Sequence, residues 1–175
     1  MNVHNINIIQ WNLNGFWKKR SELEIIIRDF MPNILCLQET NFKGNQTPHF
    51  KNFRCYNKNR DDCRRASGGV AILIETSIPS EEVPIVTNLE AVAASFLTHN
   101  TITICNIYIP NHTDLILEEI DNIIKQLPTP FILTGDFNCH SELWGSEKTD
   151  DRGKIIEKIL DDDRLVILNN GDPTR

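Results

Sequence analysis

The sequence lacks any apolar run long enough to cross a bilayer. Its opening residues, Met1-Asn2-Val3-His4-Asn5, lack the basic stretch followed by an apolar one that marks a secretory leader. An intracellular protein without a membrane span is therefore the expectation. Cysteine is present without a pattern: the five residues Cys36, Cys55, Cys63, Cys105 and Cys139 are odd in number and form no Cys-x-x-Cys pair. That argues against a disulfide framework or a structural zinc site, and Cys36 and Cys105, inside apolar runs, read as small buried hydrophobes. An excess of positive charge is also missing. Lys and Arg number 18 against 24 Asp and Glu, a net charge of -6, which argues against tight, non-specific nucleic-acid binding driven by overall charge but leaves room for a local basic patch. No repeat, low-complexity stretch or linker divides the 175 residues, so one domain, 1–175, is expected.

What is present is a pattern of short buried runs. Hydrophobic content of 40% with 24% charged residues suits a packed domain rather than a disordered chain. Strands are predicted at Ile6–Trp11, Ile34–Leu37, Val70–Ile74, Leu89–Leu97, Thr101–Ile109, Phe131–Thr134 and Leu165–Leu168, the fourth and fifth forming a hairpin through His99-Asn100. Helices are predicted over Lys18–Phe30, where Leu23, Ile26, Ile27 and Phe30 make an apolar stripe and Ser21 with Glu24 resembles a capping box, and after a possible Asp114 cap, with Ile116, Ile120, Ile123, Ile124 and Leu127 inward. A third helix is predicted over Lys154–Asp163. Residues 41–67 read as a polar loop anchored by Phe50, Phe53 and Tyr56, and Pro79 and Pro84 frame an irregular connection. The implied fold is a layered α/β (α+β) domain with a mixed sheet flanked by helices.

Chemistry concentrates where apolar runs end. Phe131-Ile132-Leu133-Thr134 breaks at Gly135 and presents Asp136 and Asn138, which alternation along an extended backbone would put on the same side. Asn12, Glu39 and Tyr108 each follow a similar run. Glu39, with Asn12 as a neutral oxygen donor, would suit a hard hydrated cation such as Mg²⁺; Asp136 could take a proton from water, and Asn138 could hold that water or a phosphate. Each residue alone also reads as ordinary turn or strand chemistry. Their joint occurrence in order favours a site.

Trp11-Asn12-Leu13-Asn14-Gly15, Leu37-Gln38-Glu39-Thr40, Asn106-Ile107-Tyr108-Ile109-Pro110 and Gly135-Asp136-Phe137-Asn138 together resemble the endonuclease/exonuclease/phosphatase superfamily, whose fold is a DNase I-like layered sandwich. Cys139-His140-Ser141-Glu142-Leu143-Trp144-Gly145, Asp151-Arg152-Gly153, Leu168-Asn169-Asn170 and Pro173-Thr174-Arg175 look like the AP-endonuclease-like endonuclease domain of non-LTR retrotransposons. The resemblance implies a metal site at Asn12 and Glu39, with Mg²⁺ or alternatively Mn²⁺. It also implies a phosphate-orienting Tyr108, a catalytic base at Asp136 and a positioning amide at Asn138. Asn14 stands where repair enzymes of the family carry an acid, which makes it a neighbour of the site rather than a ligand. His140 reads as a structural or DNA-facing loop residue and Trp144 as a loop anchor.

The resembled family continues with Ser-x-x-Asp and Ser-Asp-His blocks, the latter holding a phosphate-contacting histidine, and no matching block occurs in this sequence. The expectation is a C-terminally truncated domain lacking the last strands, retaining the metal half of the site with weak or no nicking. Lys18, Lys19 and Arg20, and Lys58, Arg60, Arg64 and Arg65, are candidate phosphate contacts beside the site. The expected function is Mg²⁺-dependent nicking of target DNA to prime reverse transcription, in a monomer whose partners are DNA and a reverse-transcriptase domain, acting in the nucleus on chromosomal DNA. The alternatives are another phosphodiesterase or phosphatase of the superfamily, or a non-catalytic nucleic-acid-binding remnant.

Overall fold

A computed structural model describes residues 5–60, 67–161 and 165–172. Two four-stranded sheets face each other. The first has the order β1-β2-β4-β3, built from β1 (Ile8–Asn12), β2 (Ile34–Gln38), β3 (Phe53–Lys58) and β4 (Val70–Glu75). The second runs β5-β6-β7-β8, from β5 (Ser80–Val83), β6 (Glu90–Leu97), β7 (Thr101–Tyr108) and β8 (Phe131–Asp136). Each sheet contains one parallel pair, β1 with β2 and β7 with β8, and its other pairings are antiparallel. The expected mixed sheet is thus two mixed sheets.

Three apolar layers hold them. Between the sheets lie Ile34, Cys36, Val70, Ile72 and Ile74 from the first and Val92, Ala94, Phe96 and Ile104 from the second. Helix α1 (Phe16–Phe30) covers the outer face of the first sheet, with Phe16 and Leu23 packed on Leu35, Leu37, Ala71 and Leu73. On the second sheet, Ala91, Ala93, Cys105 and Ile107 meet Ile120, Ile123 and Ile124 of α2 (Leu117–Gln126) and Ile159 of α3 (Asp151–Leu160). Strands buried on both faces are continuous apolar runs for this reason: all five residues of β2 are buried.

Several local expectations are corrected. Helix α1 begins at Phe16, ahead of Ser21 and Glu24, so these two form no capping box. Its start is fixed instead by Gly15 and Phe16 N–H groups bonding the Glu39 and Thr40 carbonyls. Phe30 is two-thirds exposed, so the apolar stripe stops at Ile27. Ile116, not Asp114, precedes the first turn of α2. Strands β3 and β5 arise in segments too polar for the strand pattern, each pairing with a long apolar neighbour, β4 and β6. Leu165–Leu168 forms no strand; Val166 and Leu168 are about 80% exposed, and no strand partner is present for it among the described residues.

Gly135 shows how tightly the second parallel pair closes. A Cβ there would lie 1.9 Å from the Ile107 carbonyl oxygen, and its φ of 145° disfavours any side chain.

Candidate active site

Parallel pairing places two strand ends at the same edge of each sheet. In the first sheet Asn12 stands opposite Gln38, so Glu39 leaves the strand beside it. In the second, Tyr108 stands opposite Asp136. The sheets bring these ends together. One amide nitrogen, Asn12 Nδ2, donates to Glu39 Oε1 at 2.9 Å and to Asp136 Oδ2 at 2.8 Å, and the Tyr108 hydroxyl donates to Glu39 Oε1 at 2.8 Å. Asn12, Glu39, Tyr108 and Asp136 thus form one connected cluster.

Asn138 joins it by a route that alternation does not describe. Strand β8 ends at Asp136, and Asn138 adopts a left-handed conformation with φ of 47°. Its backbone N–H donates to Asp136 Oδ1 at 2.9 Å, and its side-chain amide donates to the Ile109 carbonyl at 3.1 Å. Asp136 and Asn138 therefore meet through a turn, the conformation that Asn tolerates better than most residues. Glu39, with φ of 49°, and Asn14, with φ of 46°, share this backbone region. Asn14 donates its N–H to Asn12 Oδ1 at 3.1 Å, which makes it a neighbour of the cluster.

The donor set fits a hard cation. Two carboxylates converge on one amide, and Mg²⁺ favours one or two carboxylates with retained water. Asn12 faces these acids with its nitrogen, while its oxygen takes the Asn14 N–H; in this arrangement it braces the carboxylates. Tyr108 is held above the ordinary phenol range, by burial first, then by its bond to Glu39 and the nearby charges of Glu39, Glu90 and Asp136. It remains a donor at every physiological pH. Cys139 is pushed up to about 12, mainly by burial and next by Asp150, with Arg152 opposing, so it stays a thiol.

The cluster rests on a buried polar bridge between the sheets. Asn106, fully buried on β7, donates to the carbonyls of Leu37 at 2.9 Å and Ala71 at 3.0 Å, and its oxygen accepts from Gln38 Nε2 at 2.5 Å. Gln10 extends the chain to Gln38 at 2.6 Å. Asn106 and Gln38 carry no assigned role from the sequence. Their signal was a fully polar side chain inside an apolar strand, since a buried amide requires partners.

The other candidates lie outside this hydrogen-bonded cluster, although Lys58 and Arg60 line a cleft together with Tyr108. His140 is exposed and its Nδ1 bonds Asp150 Oδ2 at 2.9 Å. Trp144 is half-buried at the end of a short 3-10 turn, Glu142–Trp144. Lys19 pairs with Glu22, while Arg20 pairs with Glu24 and lies over the Trp17 and Phe50 rings. Lys58 donates to the Thr87 and Leu89 carbonyls, and Arg60 pairs with Glu90. Arg64 and Arg65, as well as Pro173-Thr174-Arg175, lie outside the described residues.

Comparison with known proteins gives this cluster its setting. Residues 102–175 match the family model described as Endonuclease-reverse transcriptase. The chain is 30% identical over 173 residues to a probable RNA-directed DNA polymerase from transposon X-element of Drosophila melanogaster, covering 97% of this chain and 19% of that protein. It is 25% identical over 167 residues to the RNA-directed DNA polymerase from the mobile element jockey of the same species, covering 94% of this chain and 18% of that one. The chain therefore spans about a fifth of the length of these relatives. Among solved structures, the endonuclease domain of TRAS1, a telomere-specific non-LTR retrotransposon, superposes with a TM-score of 0.79 at 26% identity, over 95% of this chain and 76% of that one. An AP endonuclease from Archaeoglobus fulgidus shares the fold, with a TM-score of 0.65 at 18% identity over 90% of this chain and 70% of that one. By sequence and by fold the chain is thus similar to the endonuclease domains of non-LTR retrotransposons, and its C-terminal part matches the Endonuclease-reverse transcriptase family model.

Proposed function

We propose that this domain hydrolyses a phosphodiester bond of DNA with the help of Mg²⁺, making the nick from which a retrotransposon's reverse transcriptase primes. The observation that carries the reading is the meeting of Glu39 and Asp136 on the single amide of Asn12. Glu39 would hold the ion, with Asn12 bracing that carboxylate through its amide nitrogen and able to offer its oxygen only by turning the amide, and Mn²⁺ suits the same carboxylate oxygens. When bound, the ion would neutralise a phosphodiester oxygen and the charge developing on the leaving alkoxide.

The chain's own residues supply the remainder. Asp136 takes a proton from the attacking water. Its carboxylate is already aimed, because Asn12 holds Oδ2 and the Asn138 N–H holds Oδ1. Asn138 keeps one amide proton and its oxygen beyond the bond to Ile109, enough to orient that water or a phosphate oxygen. Tyr108, protonated, donates its one hydroxyl proton to Glu39 here, and would turn that proton to the phosphate once the ion takes up the Glu39 oxygen. Such nicking of chromosomal DNA would take place in the nucleus.

Nicking of supercoiled plasmid in Mg²⁺, with a Glu39→Ala control, tests the reading. The expected result is open-circle product, however slowly formed, that disappears with EDTA and in the E39A variant. Equal product from both proteins, or none from the parent chain in either Mg²⁺ or Mn²⁺, would defeat it.

A further inference from the structure

The Asp151-Arg152-Gly153 block has no part in the cluster, yet the structure ties it to the catalytic turn. Arg152 stands in the first turn of α3 and reaches back under the ends of β7 and β8. Its Nη1 donates to the Thr113 carbonyl at 2.6 Å, and its Nη2 donates to the Phe137 carbonyl at 2.9 Å and the Ile109 carbonyl at 3.4 Å. Its Nε is buried without a hydrogen-bond partner. No carboxylate pairs with this guanidinium among the described residues. Retaining a guanidinium whose Nε goes unsatisfied is costly, so the other contacts must matter.

Those contacts share a target. The Phe137 carbonyl belongs to the peptide that leads into Asn138, so fixing it fixes the left-handed φ of Asn138. Ile109, whose carbonyl Arg152 also holds, is the acceptor of the Asn138 side chain. The Asn138 N–H in turn aims Asp136. The root of the arm is equally fixed. Asp150 caps α3 by accepting from the Gly153 N–H at 2.6 Å, and a Cβ on residue 153 would lie 1.9 Å from the His140 carbonyl oxygen. Gly153 thus lets the helix start close enough for Arg152 to reach.

We propose that Arg152 is a positioning residue for the reaction: a three-carbonyl clamp that keeps the Asp136–Asn138 turn in its left-handed, carboxylate-aiming conformation. The catalytic importance of the clamp rests on the nuclease reading above; its structural action does not. A lysine would keep the charge but lacks the planar fork needed to span the Thr113 and Phe137 carbonyls.

The test uses the full chain and two variants, R152K and R152M. Amide hydrogen exchange read by NMR compares Asn138 with Cys105 and Leu133, which sit opposite each other in the β7–β8 pairing. The expected result is that Asn138 exchange accelerates about tenfold or more relative to those two amides in both variants. Acceleration at Asn138 only in step with Cys105 and Leu133, or none, would overturn the clamp; should R152M fail to fold, R152K decides. In plasmid nicking, R152K is expected to lose kcat by roughly 100-fold with KM for DNA unchanged. A rise in KM alone, or wild-type kinetics, would reject the positioning role. Absence of nicking by the parent chain would remove the nuclease reading and leave the exchange result to judge the clamp by itself.

Discussion

The two parallel strand pairs deliver the site residues by different means. At the end of β1 and β2 the backbone holds itself: the N–H groups of Leu13, Gly15 and Phe16 bond successive carbonyls of Gln38, Glu39 and Thr40, and the N–H groups of Thr40 and Asn41 bond Gly69 and Gly68. At the end of β7 and β8, one backbone bond from Ile109 to Asp136 is supplemented by side chains, Asn138 from within the turn and Arg152 from a distant helix. The first turn is a product of local pairing, and the second depends on α3 being docked. The backbone at Glu39 is therefore placed by pairing within the first sheet, whereas the Asp136–Asn138 turn also draws on side chains, one of them from the last described helix.

The largest expected effect attacks the second pair at its closest approach. Gly135→Ala would put a methyl group 1.9 Å from the Ile107 carbonyl oxygen at a φ of 145°, and should cost about 4 kcal/mol or prevent folding. Gly44→Ala, at a φ of 49° with nothing within 4 Å of its Cβ, should cost only about 1 kcal/mol. Urea denaturation of both variants measures the contrast, and equal midpoints would refute it. Next comes the bridge that couples the two pairs. Asn106→Leu would take the amide donor from the Leu37 and Ala71 carbonyls and leave Gln38 Nε2 with only its 3.3 Å bond to the Cys36 carbonyl, for a loss of about 3 kcal/mol. A Leu variant as stable as the parent would show that the bridge is replaceable by apolar packing.

Much of this arrangement could be read from the chain because β2, β4, β6, β7 and β8 are apolar runs whose ends carry polar residues. Burial on both faces writes itself into such strands, and the rigidity of a strand end makes Asn12, Glu39, Tyr108 and Asp136 conspicuous. The strands β3 and β5 were illegible for the opposite reason: their half-exposed residues take β structure from the neighbour they pair with. Leu165–Leu168 misled because an apolar run signals a strand only when a partner is available. The Asp136–Asn138 geometry escaped since periodicity assumes an extended backbone, and a left-handed turn breaks it. Arg152 was visible as a motif, but its targets are carbonyls, which have no side-chain identity for a sequence to reveal.

The smallest effect tests the root of the second pair's outside support. Asp150 caps α3 through Gly153 and receives His140. Burial works to raise its carboxyl, but the Gly153 N–H, then His140, outweigh that and hold it below the ordinary range. A lowered folded-state pKa means that Asp150 contributes stability in full above the usual carboxylate pKa, and that this contribution is lost as pH falls through the lower folded value. Asp150→Ala should therefore cost about 1 kcal/mol near pH 7, the usual worth of an N-cap. The Asp150 side chain is 40% exposed, so screening keeps the charge-dependent part small. The difference between parent and variant should narrow below about pH 4, where an unperturbed aspartate begins to protonate. Thermal melts of both proteins from pH 7 down to pH 3 measure it. A gap that widened with acid would mean that Asp150 is stabilised in its neutral form, and that α3 is anchored by something other than this cap.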